Sequence, residues 1–251
     1  MSSGKFSPDT TIFQQMAEIE DRHWWFVARR QILDRVIRGL PLPDNADILE
    51  AGCGTGGSLA TLARYGHLHA MDLTEIALEL ARARNIGEIR RGCLPDEIPF
   101  GDRRFDLIVS LDVIQHVGDD IAALKALRER LKPGGYLVMT VPAYAWLWSR
   151  HDESWQNLRR YSRKGLIRVA RSAGWKVEYT SFFNTVLFPA IVLARLFRFS
   201  PAHHQTTDQS LPSPGLNRLL TFLFASERHL VGRVAIPFGV SLLLVATKEE
   251  S

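Results

Sequence analysis

Apolar and polar positions in residues 46–145 alternate between a strand-like repeat of two and a helical repeat of three to four. The repeat of two predicts strands at Asp47–Ala51, His67–Asp72, Phe105–Leu111 and Gly135–Val141. The helical repeat predicts helices between them, at Ser58–Tyr65, Glu75–Arg84 and Ile121–Leu131. This alternation is typical of an α/β fold with a parallel, doubly wound sheet and helices on both faces.

The C-terminal part of the chain departs from this alternation. It contains a predicted helix at Ser162–Ser172 and two predicted strands at Trp175–Ser181 and Val240–Thr247. The residues between the strands, Phe182–Gly239, are far more than a hairpin needs, so we interpret them as a helical insertion that caps the substrate. The alternative is that its helices extend the core or form a dimer interface. A polar segment within it, Ser200–Pro214, is expected to be mobile.

One apolar stretch, Phe182–Phe199, is about long enough to span a membrane. It contains Asn184, Pro189, Arg195 and Arg198, which the centre of a membrane span tolerates poorly. A true span is therefore disfavoured. We interpret the stretch as a buried or interfacial helix, with peripheral contact at a membrane surface as the alternative.

The N-terminal segment Met16–Leu40 is predicted to be helical and carries three consecutive aromatic residues, Trp24, Trp25 and Phe26. Consecutive residues of a helix point about 100° apart, so these rings cannot all face one core. They pack on the core and a neighbouring element, or they form a lid over a ligand together with Arg29.

Composition fits an ordinary globular protein. The chain has 251 residues, of which 46% are hydrophobic and 23% charged, which is enough apolar mass for a full core. The net charge of +4 is spread along the chain, so no nucleic-acid-binding tail is indicated. Two cysteines, Cys53 and Cys93, provide neither a disulfide framework nor a metal-ligand spacing. No metal is therefore expected. Because the first residues show no apolar signal sequence, a cytoplasmic protein is expected.

A glycine-rich turn follows the first predicted strand. Gly52, Gly54 and Gly57 match the G-x-G-x-x-G fingerprint of dinucleotide-binding loops. Glu50 stands just before them, where a carboxylate disfavours a pyrophosphate and suits a cation or a hydroxyl. Asp72 ends the second strand, where an acid is expected to hold a ribose diol. Together they favour an adenosine with an ammonium or sulfonium group, and an NAD-dependent oxidoreductase remains as an alternative.

The same stretch, ILEAGCGTGG at residues 48–57, resembles the first motif of class I S-adenosylmethionine (SAM)-dependent methyltransferases, which uses Glu50, Gly52, Gly54 and Gly56. Their later motifs are similar to HAMDL, to LPDEIPFGDRRFDLIVSLDVIQHV and to LRERLKPGGYLVMTVPAY. HWWFVARR and PAYAWLWSRHDESWQNLRRYSRKGL are similar to a subgroup with methyltransferase type 11 or 12 domains. The resemblance implies a mostly parallel seven-stranded sheet of order 3-2-1-4-5-7-6, with the insertion between the last two strands.

The resemblance also implies how SAM, and its product S-adenosylhomocysteine, would be bound. The glycine loop would hold the methionine part, Asp72 the ribose hydroxyls and Leu73 the adenine. Cys93 stands where relatives often have an aspartate for the adenine amino group, so backbone contacts at Leu94 would serve instead. Arg29 resembles an arginine that reaches the methionine carboxylate, a task that suits a guanidinium. The other predicted cofactor contacts are Trp25 and Leu111.

The implied reaction is methyl transfer to an oxygen or nitrogen of a small-molecule acceptor in a natural-product, glycan or lipid pathway. A base is needed only if the acceptor arrives protonated. The candidate catalytic residues are His151, otherwise a loop residue, and His116, for which a structural or cofactor-side role is favoured. Four aromatic residues are predicted to form a wall of the substrate pocket, or alternatively to pack in the core: Tyr144, Trp146, Trp148 and Tyr161.

These interpretations divide the chain into a helical lid (1–45), a SAM-binding Rossmann-like core (46–181), a substrate cap (182–239) and a last strand with its tail (240–251). The predicted partner is an apolar or amphiphilic acceptor, and the chain is expected to be a monomer or a homodimer. A SAM-binding module that regulates a partner without catalysing a reaction is the alternative from another functional class.

Overall fold

The computed structural model describes residues 10–197 and 210–248. Within them one sheet contains the strands β1 (Ala46–Ala51), β2 (Gly66–Asp72), β3 (Glu88–Arg91), β4 (Phe105–Leu111), β5 (Leu131–Pro142), β6 (Trp175–Phe183) and β7 (Ser241–Lys248). The strand order is β3-β2-β1-β4-β5-β7-β6. Only β7 runs antiparallel to its neighbours, β5 and β6. This confirms the predicted order and the mostly parallel sheet.

The described helices are α1 (Thr10–Ile19), α2 (Trp24–Ile37), α3 (Leu59–Leu62), α4 (Glu75–Arg82), α5 (Asp120–Glu129), α6 (Arg150–Ser154), α7 (Arg163–Ser172), α8 (Phe188–Phe197) and α9 (Pro214–Ala225). They cover both faces of the sheet. Because side chains of a strand alternate between faces, Ile48 packs into the cluster formed with α2, α3 and α9, whereas Leu49 packs into the cluster formed with α5 and α7.

The edge strand β3 is the one described strand that hydrophobic periodicity did not locate. Its sequence, EIRR, offers a single apolar residue, Ile89, and the strand is largely exposed. A short strand at the edge of a sheet buries too little surface to require alternation, so no repeat of two marks it.

The N-terminal segment predicted as one helical stretch, Met16–Leu40, is instead two helices separated by residues 20–23. His23 adopts an extended backbone and caps α2, where its Nδ1 accepts a hydrogen bond from the Trp25 amide at 3.3 Å. Arg30 in turn donates to the Glu20 carbonyl at 2.8 Å. The break contains no glycine or proline, so the sequence carried no signal for it.

The insertion between β6 and β7 contributes α8 and α9. Phe224 of α9 is fully buried, and its ring lies 6.0 Å from Trp24 and 6.1 Å from Phe183. Asn217 joins α9 to α2, because its Oδ1 accepts from the Trp24 amide at 2.9 Å and its Nδ2 donates to the Arg22 carbonyl at 2.8 Å. α9 therefore belongs to the helical layer on one face of the sheet.

Two expectations about the insertion fall at least partly outside the described residues. Arg198 and most of the polar segment Ser200–Pro214 lie there, and the described part of that segment is 210–214. None of the described helices has the length and apolar character needed to cross a membrane.

We predict that Asn217→Ala destabilises the fold by about 1–2 kcal/mol, because it leaves the first amide of α2 and the Arg22 carbonyl without partners. Urea unfolding measures the change. Lys125→Ala, an exposed position on α5, is the control and should change the free energy of unfolding by less than about 0.5 kcal/mol. Equal effects of the two substitutions would contradict a stabilising junction between α9 and α2.

Candidate active site

A cavity of about 1150 Å³ lies at the carboxyl ends of β1, β2 and β4. This is where open α/β sheets bind their ligands. The predicted site residues that line it are Trp25, Arg29, Glu50, Gly52, Gly54, Asp72, Leu73, Cys93, Leu94, Leu111, His116 and His151. The predicted residues that are not among its lining are Gly56, Tyr144, Trp146, Trp148 and Tyr161.

The glycine turn brings backbone to the cavity where a side chain would not fit. Gly52 has φ +85°, and a Cβ there would lie 2.3 Å from Cγ2 of Val113. Gly56 has φ +88°, and a Cβ there would lie 2.7 Å from Cδ1 of Leu59. Gly56 therefore lets the turn pack against α3, whereas Gly52 and Gly54 form part of the cavity wall.

Glu50, next to last in β1, is a buried carboxyl group. Its Oε1 accepts a hydrogen bond from Ser58 Oγ at 2.5 Å, and its Oε2 is buried without a partner. Burial raises the pKa of Glu50 to about 8, although the Ser58 hydrogen bond and the charge of Arg29 oppose the shift. The site therefore holds a carboxyl group that a cationic ligand would convert to a carboxylate.

Asp72 ends β2 and connects the glycine turn to the start of α4. Its Oδ2 accepts from the Gly54 amide and its Oδ1 from the Thr74 amide, both at 2.9 Å. Burial raises the pKa of Asp72, and these backbone hydrogen bonds oppose the rise. Each oxygen retains lone pairs for a further donor such as a hydroxyl group.

Arg29 reaches the cavity from α2. Its Nη1 forms an ion pair with Asp112 Oδ2 at 2.5 Å, and its guanidinium carbon lies 4.4 Å from the centre of the Trp25 ring. The Arg29 Nε is buried without a hydrogen-bond partner. This guanidinium is therefore held in place while one of its donors is still unpaired.

The buried carboxylate of Glu20, the residue after α1, attaches this helix to the glycine turn. Its Oε1 accepts from Thr55 Oγ1 and from Arg84 Nη2, both at 2.6 Å. Arg84 also donates to the Thr55 carbonyl at 2.9 Å, so three elements meet at one point. Phe13 of α1 contacts Trp155 edge to face at 5.7 Å, which extends this roof across the cavity. Sequence analysis missed Glu20 and Arg84, because charged residues far apart in the chain give no local signal.

Cys93, Leu94 and Leu73 lie along the wall after β2 and β3, and Leu111 lies at the end of β4. Cys93 is half-buried, and its backbone exchanges two hydrogen bonds with Glu97, at 2.9 and 2.7 Å. Burial raises the pKa of the Cys93 thiol, so it remains a neutral thiol at neutral pH.

Two histidines lie together on the cavity wall. His116 is half-buried, with its Nδ1 3.5 Å from the Gln156 carbonyl oxygen and its Nε2 3.4 Å from Gln115 Nε2. Burial lowers the pKa of His116, and the neighbouring His151 lowers it further. His151 is exposed on α6, with its ring centre 6.3 Å from that of Trp155.

A buried ion pair shapes the loop that carries His151. Asp152 is fully buried and accepts from Arg160 Nε at 2.7 Å and from Arg160 Nη2 at 3.0 Å. Asn157 Nδ2 and the Ser149 amide donate to the same carboxylate, at 2.7 and 2.8 Å. Burial alone would raise the pKa of Asp152, but the hydrogen bonds and charge of Arg160 bring it below its ordinary value. Asp152, next to His151 in the chain, is thus a charged carboxylate whose position is fixed by these hydrogen bonds.

Comparison with known proteins identifies the family. Residues 23–180, more than half of the chain, match a family described as a methyltransferase domain. The chain belongs to the class I SAM-dependent methyltransferases. This assignment excludes the NAD-dependent oxidoreductase alternative.

Two curated relatives and one solved structure show the range of similarity. The methyltransferase is 31% identical over 125 residues to dimethylglycine N-methyltransferase of Parasynechococcus marenigrum, covering 45% of each chain. It is 32% identical over 114 residues to ubiquinone biosynthesis O-methyltransferase of Xylella fastidiosa, covering 43% of this chain and 46% of the relative. The chain thus spans about half the length of these relatives. A structure of a methyltransferase from Bacillus halodurans shares 20% identity and a TM-score of 0.60, covering 87% of this chain and 99% of that one.

The residues of the methyltransferase fit SAM, which carries an ammonium, a sulfonium and a carboxylate. Glu50 offers a buried oxygen without a partner, and Arg29 offers a buried nitrogen without one. The turn at Gly52 leaves no space for a side chain, so backbone alone faces the ligand. A carboxyl group and a guanidinium match the ammonium and the carboxylate of an amino acid.

The four aromatic residues predicted as a substrate wall lie elsewhere. Tyr161 is buried in the core, where its hydroxyl donates to Asp120 at 2.8 Å. Tyr144 stacks on Phe182 with ring centres 5.1 Å apart, and Trp146 and Trp148 are exposed. Tyr161 thus matches the alternative of a core position, whereas the exposed Trp146 and Trp148 match neither a core position nor the lining of this cavity.

We predict that Asp152→Ala destabilises the methyltransferase by about 3–5 kcal/mol, because it leaves the buried Arg160 guanidinium unpaired. The matched control is Glu178→Ala, which breaks an exposed ion pair with Lys176 and should cost less than about 1 kcal/mol. Chemical denaturation of both variants measures the difference. If the two lose the same stability, the buried pair does not hold this loop.

Proposed function

We propose that this methyltransferase moves the methyl group of SAM to an oxygen or nitrogen of a small-molecule acceptor inside the cavity. The observation that carries the proposal is the shared lining: Glu50, Asp72 and Arg29 face the same cavity as the histidines. This shared lining supports a cofactor and an acceptor bound in one cavity together with a candidate base.

The proposed cofactor contacts follow from the chemistry of each side chain. Glu50 accepts from the ammonium of SAM and becomes ionised as it does so. Arg29 donates through its unpaired Nε to the carboxylate of SAM, with Trp25 and Asp112 fixing its orientation. Asp72 accepts from the ribose hydroxyls with its remaining lone pairs.

The proposed chemistry asks little of the protein beyond alignment, exclusion of water and removal of a proton. When bound, SAM would supply an electrophilic methyl group and would leave as a neutral thioether. His151 takes the proton that an acceptor hydroxyl or ammonium must lose. His116, with a lowered pKa, is uncharged near neutral pH and so does not oppose the charge that develops on His151.

The acceptor is proposed to be amphiphilic. Ile191 of α8 and Val240 before β7 contribute an apolar part of the cavity wall, and Asn157 and Asn184 contribute amide groups. Both a nitrogen and an oxygen acceptor are represented among the relatives, by a dimethylglycine N-methyltransferase and a ubiquinone biosynthesis O-methyltransferase. In this proposal the insertion, through Ile191, supplies part of the apolar wall and acts as the substrate cap.

We predict that His151→Gln lowers the turnover of a phenolic acceptor by about 10²–10⁴, the usual contribution of a general base. Transfer of label from methyl-labelled SAM to catechol measures the rate, with dimethylglycine as a nitrogen acceptor in parallel. His116→Gln is the matched control and should lower the rate less than about ten-fold, because its ring bridges Gln115 and Gln156 rather than serving as the base.

The pH profile of the same reaction distinguishes a base from a structural residue. The wild-type rate should rise with pH as the base loses its proton, and that rise should vanish in His151→Gln. SAM affinity should be unchanged in the variant. If the variant retains both the rate and the pH dependence, His151 is not the base. If labelled methyl reaches neither acceptor, the proposed O- or N-acceptor class is wrong.

A further inference from the structure

The outward side of α9 and the turn after it carries an exposed apolar surface. We call it the α9 patch, and its members are Leu216, Leu219, Phe222, Leu230 and Val234. Phe222 is 71% exposed and Leu219 is 53% exposed. Single exposed apolar side chains are normal, but several on one short segment mark a contact surface.

The inward side of α9 explains why this patch faces outward. Phe224 is buried against Trp24, and Asn217 bonds the start of α2. On a helix of 3.6 residues per turn, Leu219 and Phe222 lie on the side opposite these two contacts. A rotation of α9 that buried the patch would therefore break the junction of α9 with α2.

Apart from the buried Glu227, the charged residues of 210–239 are arginines. Arg218 and Arg228 line a shallow cleft beside Phe222, and Arg233 lies between Leu230 and Val234 in the chain. No carboxylate among the described residues forms an ion pair with any of these three arginines.

The acidic residue of this segment is turned inward. Glu227 is the sole acid in residues 210–239, and it is buried. Its Oε1 accepts from the amides of Thr185 and Val186, at 2.7 and 2.9 Å. The outer surface of the segment thus shows apolar and cationic groups without an exposed carboxylate.

We propose that the α9 patch and its arginines dock this methyltransferase on an anionic lipid surface. Apolar side chains on one side of a helix can enter the boundary between headgroups and acyl chains, while arginines contact lipid phosphates. Anionic lipids attract each nearby cation, and an exposed carboxylate would oppose that attraction. The proposal goes beyond methyl transfer and does not depend on it.

Docking also has a consequence for the cavity. The insertion that carries the patch also contributes Ile191 to the cavity wall, and Asn184 at its start does the same. Docking would therefore bring the insertion, which contributes to this wall, to the lipid surface.

Vesicle co-sedimentation of the full chain tests the proposal. Wild-type protein should bind vesicles that contain phosphatidylglycerol, bind pure phosphatidylcholine vesicles far less, and lose affinity as salt is raised. The double variant Leu219→Gln with Phe222→Gln should bind at least about ten-fold more weakly, from the loss of two large apolar side chains. Arg218→Gln should weaken binding about five-fold.

Two matched controls separate the patch from general surface effects. Leu158→Gln changes a leucine that is 55% exposed outside the patch, and Arg171→Gln changes an exposed arginine on α7. Both should bind vesicles like the wild type. Glutamine is a good helix former, so the patch variants should keep the wild-type circular dichroism spectrum and melting temperature.

Three results would overturn the proposal. The first is a wild-type protein that binds neither kind of vesicle. The second is a patch variant that binds as tightly as its control. The third is a dimer, detected by light scattering, that the double variant converts to monomer, because the patch would then be an interface between copies of this chain.

Discussion

Burial of the Glu50 carboxyl group is the constraint on which the cofactor side of the site depends. A carboxylate without a counterion is costly in a low-dielectric interior, and this one has a single hydrogen bond, from Ser58. Burial therefore favours the protonated form, and the pKa of Glu50 rises to about 8. A ligand with a positive charge near Oε2 removes the need for that proton. The Glu50 carboxyl group is therefore protonated before a cation binds, and a bound cation favours its ionised form.

Other contacts on the cofactor side cover the glycine turn that follows Glu50. Glu20, Thr55 and Arg84 fasten α1 over the glycine turn, and Phe13 and Trp155 extend the cover. In the proposed reaction charge is lost from sulfur, and this cover would shield that reaction from water on one side. Stability and function thus draw on one set of contacts.

Sequence reasoning located what depends on local pattern. The glycines, Glu50 and Asp72 were identified because strand ends and turns leave signatures over a few residues. The break before α2 was missed because it contains no glycine or proline, and the edge strand β3 was missed because it is too short and exposed to show alternation. The Glu20–Arg84 pair was missed because its two residues are distant in sequence. Tyr161 shows the same limit, because its hydroxyl donates to Asp120, which is far away in the chain.

The functional meaning of the histidines also depended on packing. From sequence, His116 and His151 were both candidate catalytic residues, and a structural or cofactor-side role was favoured for His116. The structure makes them unequal, because His116 is enclosed between Gln115 and Gln156 whereas His151 is exposed on a helix that the buried Asp152–Arg160 pair anchors. This difference supports the proposal that His151, rather than His116, serves as the base.

Proton release on SAM binding is the most direct test of the central claim. Calorimetric titrations near pH 7, in buffers of different ionisation enthalpy, count the protons released. A carboxyl group with a pKa of about 8 is mostly protonated there, so the wild type should release close to one proton as Glu50 ionises. Glu50→Gln should bind more weakly and release almost none. A wild-type protein that binds SAM without releasing a proton, or a variant that releases as many, would contradict the account.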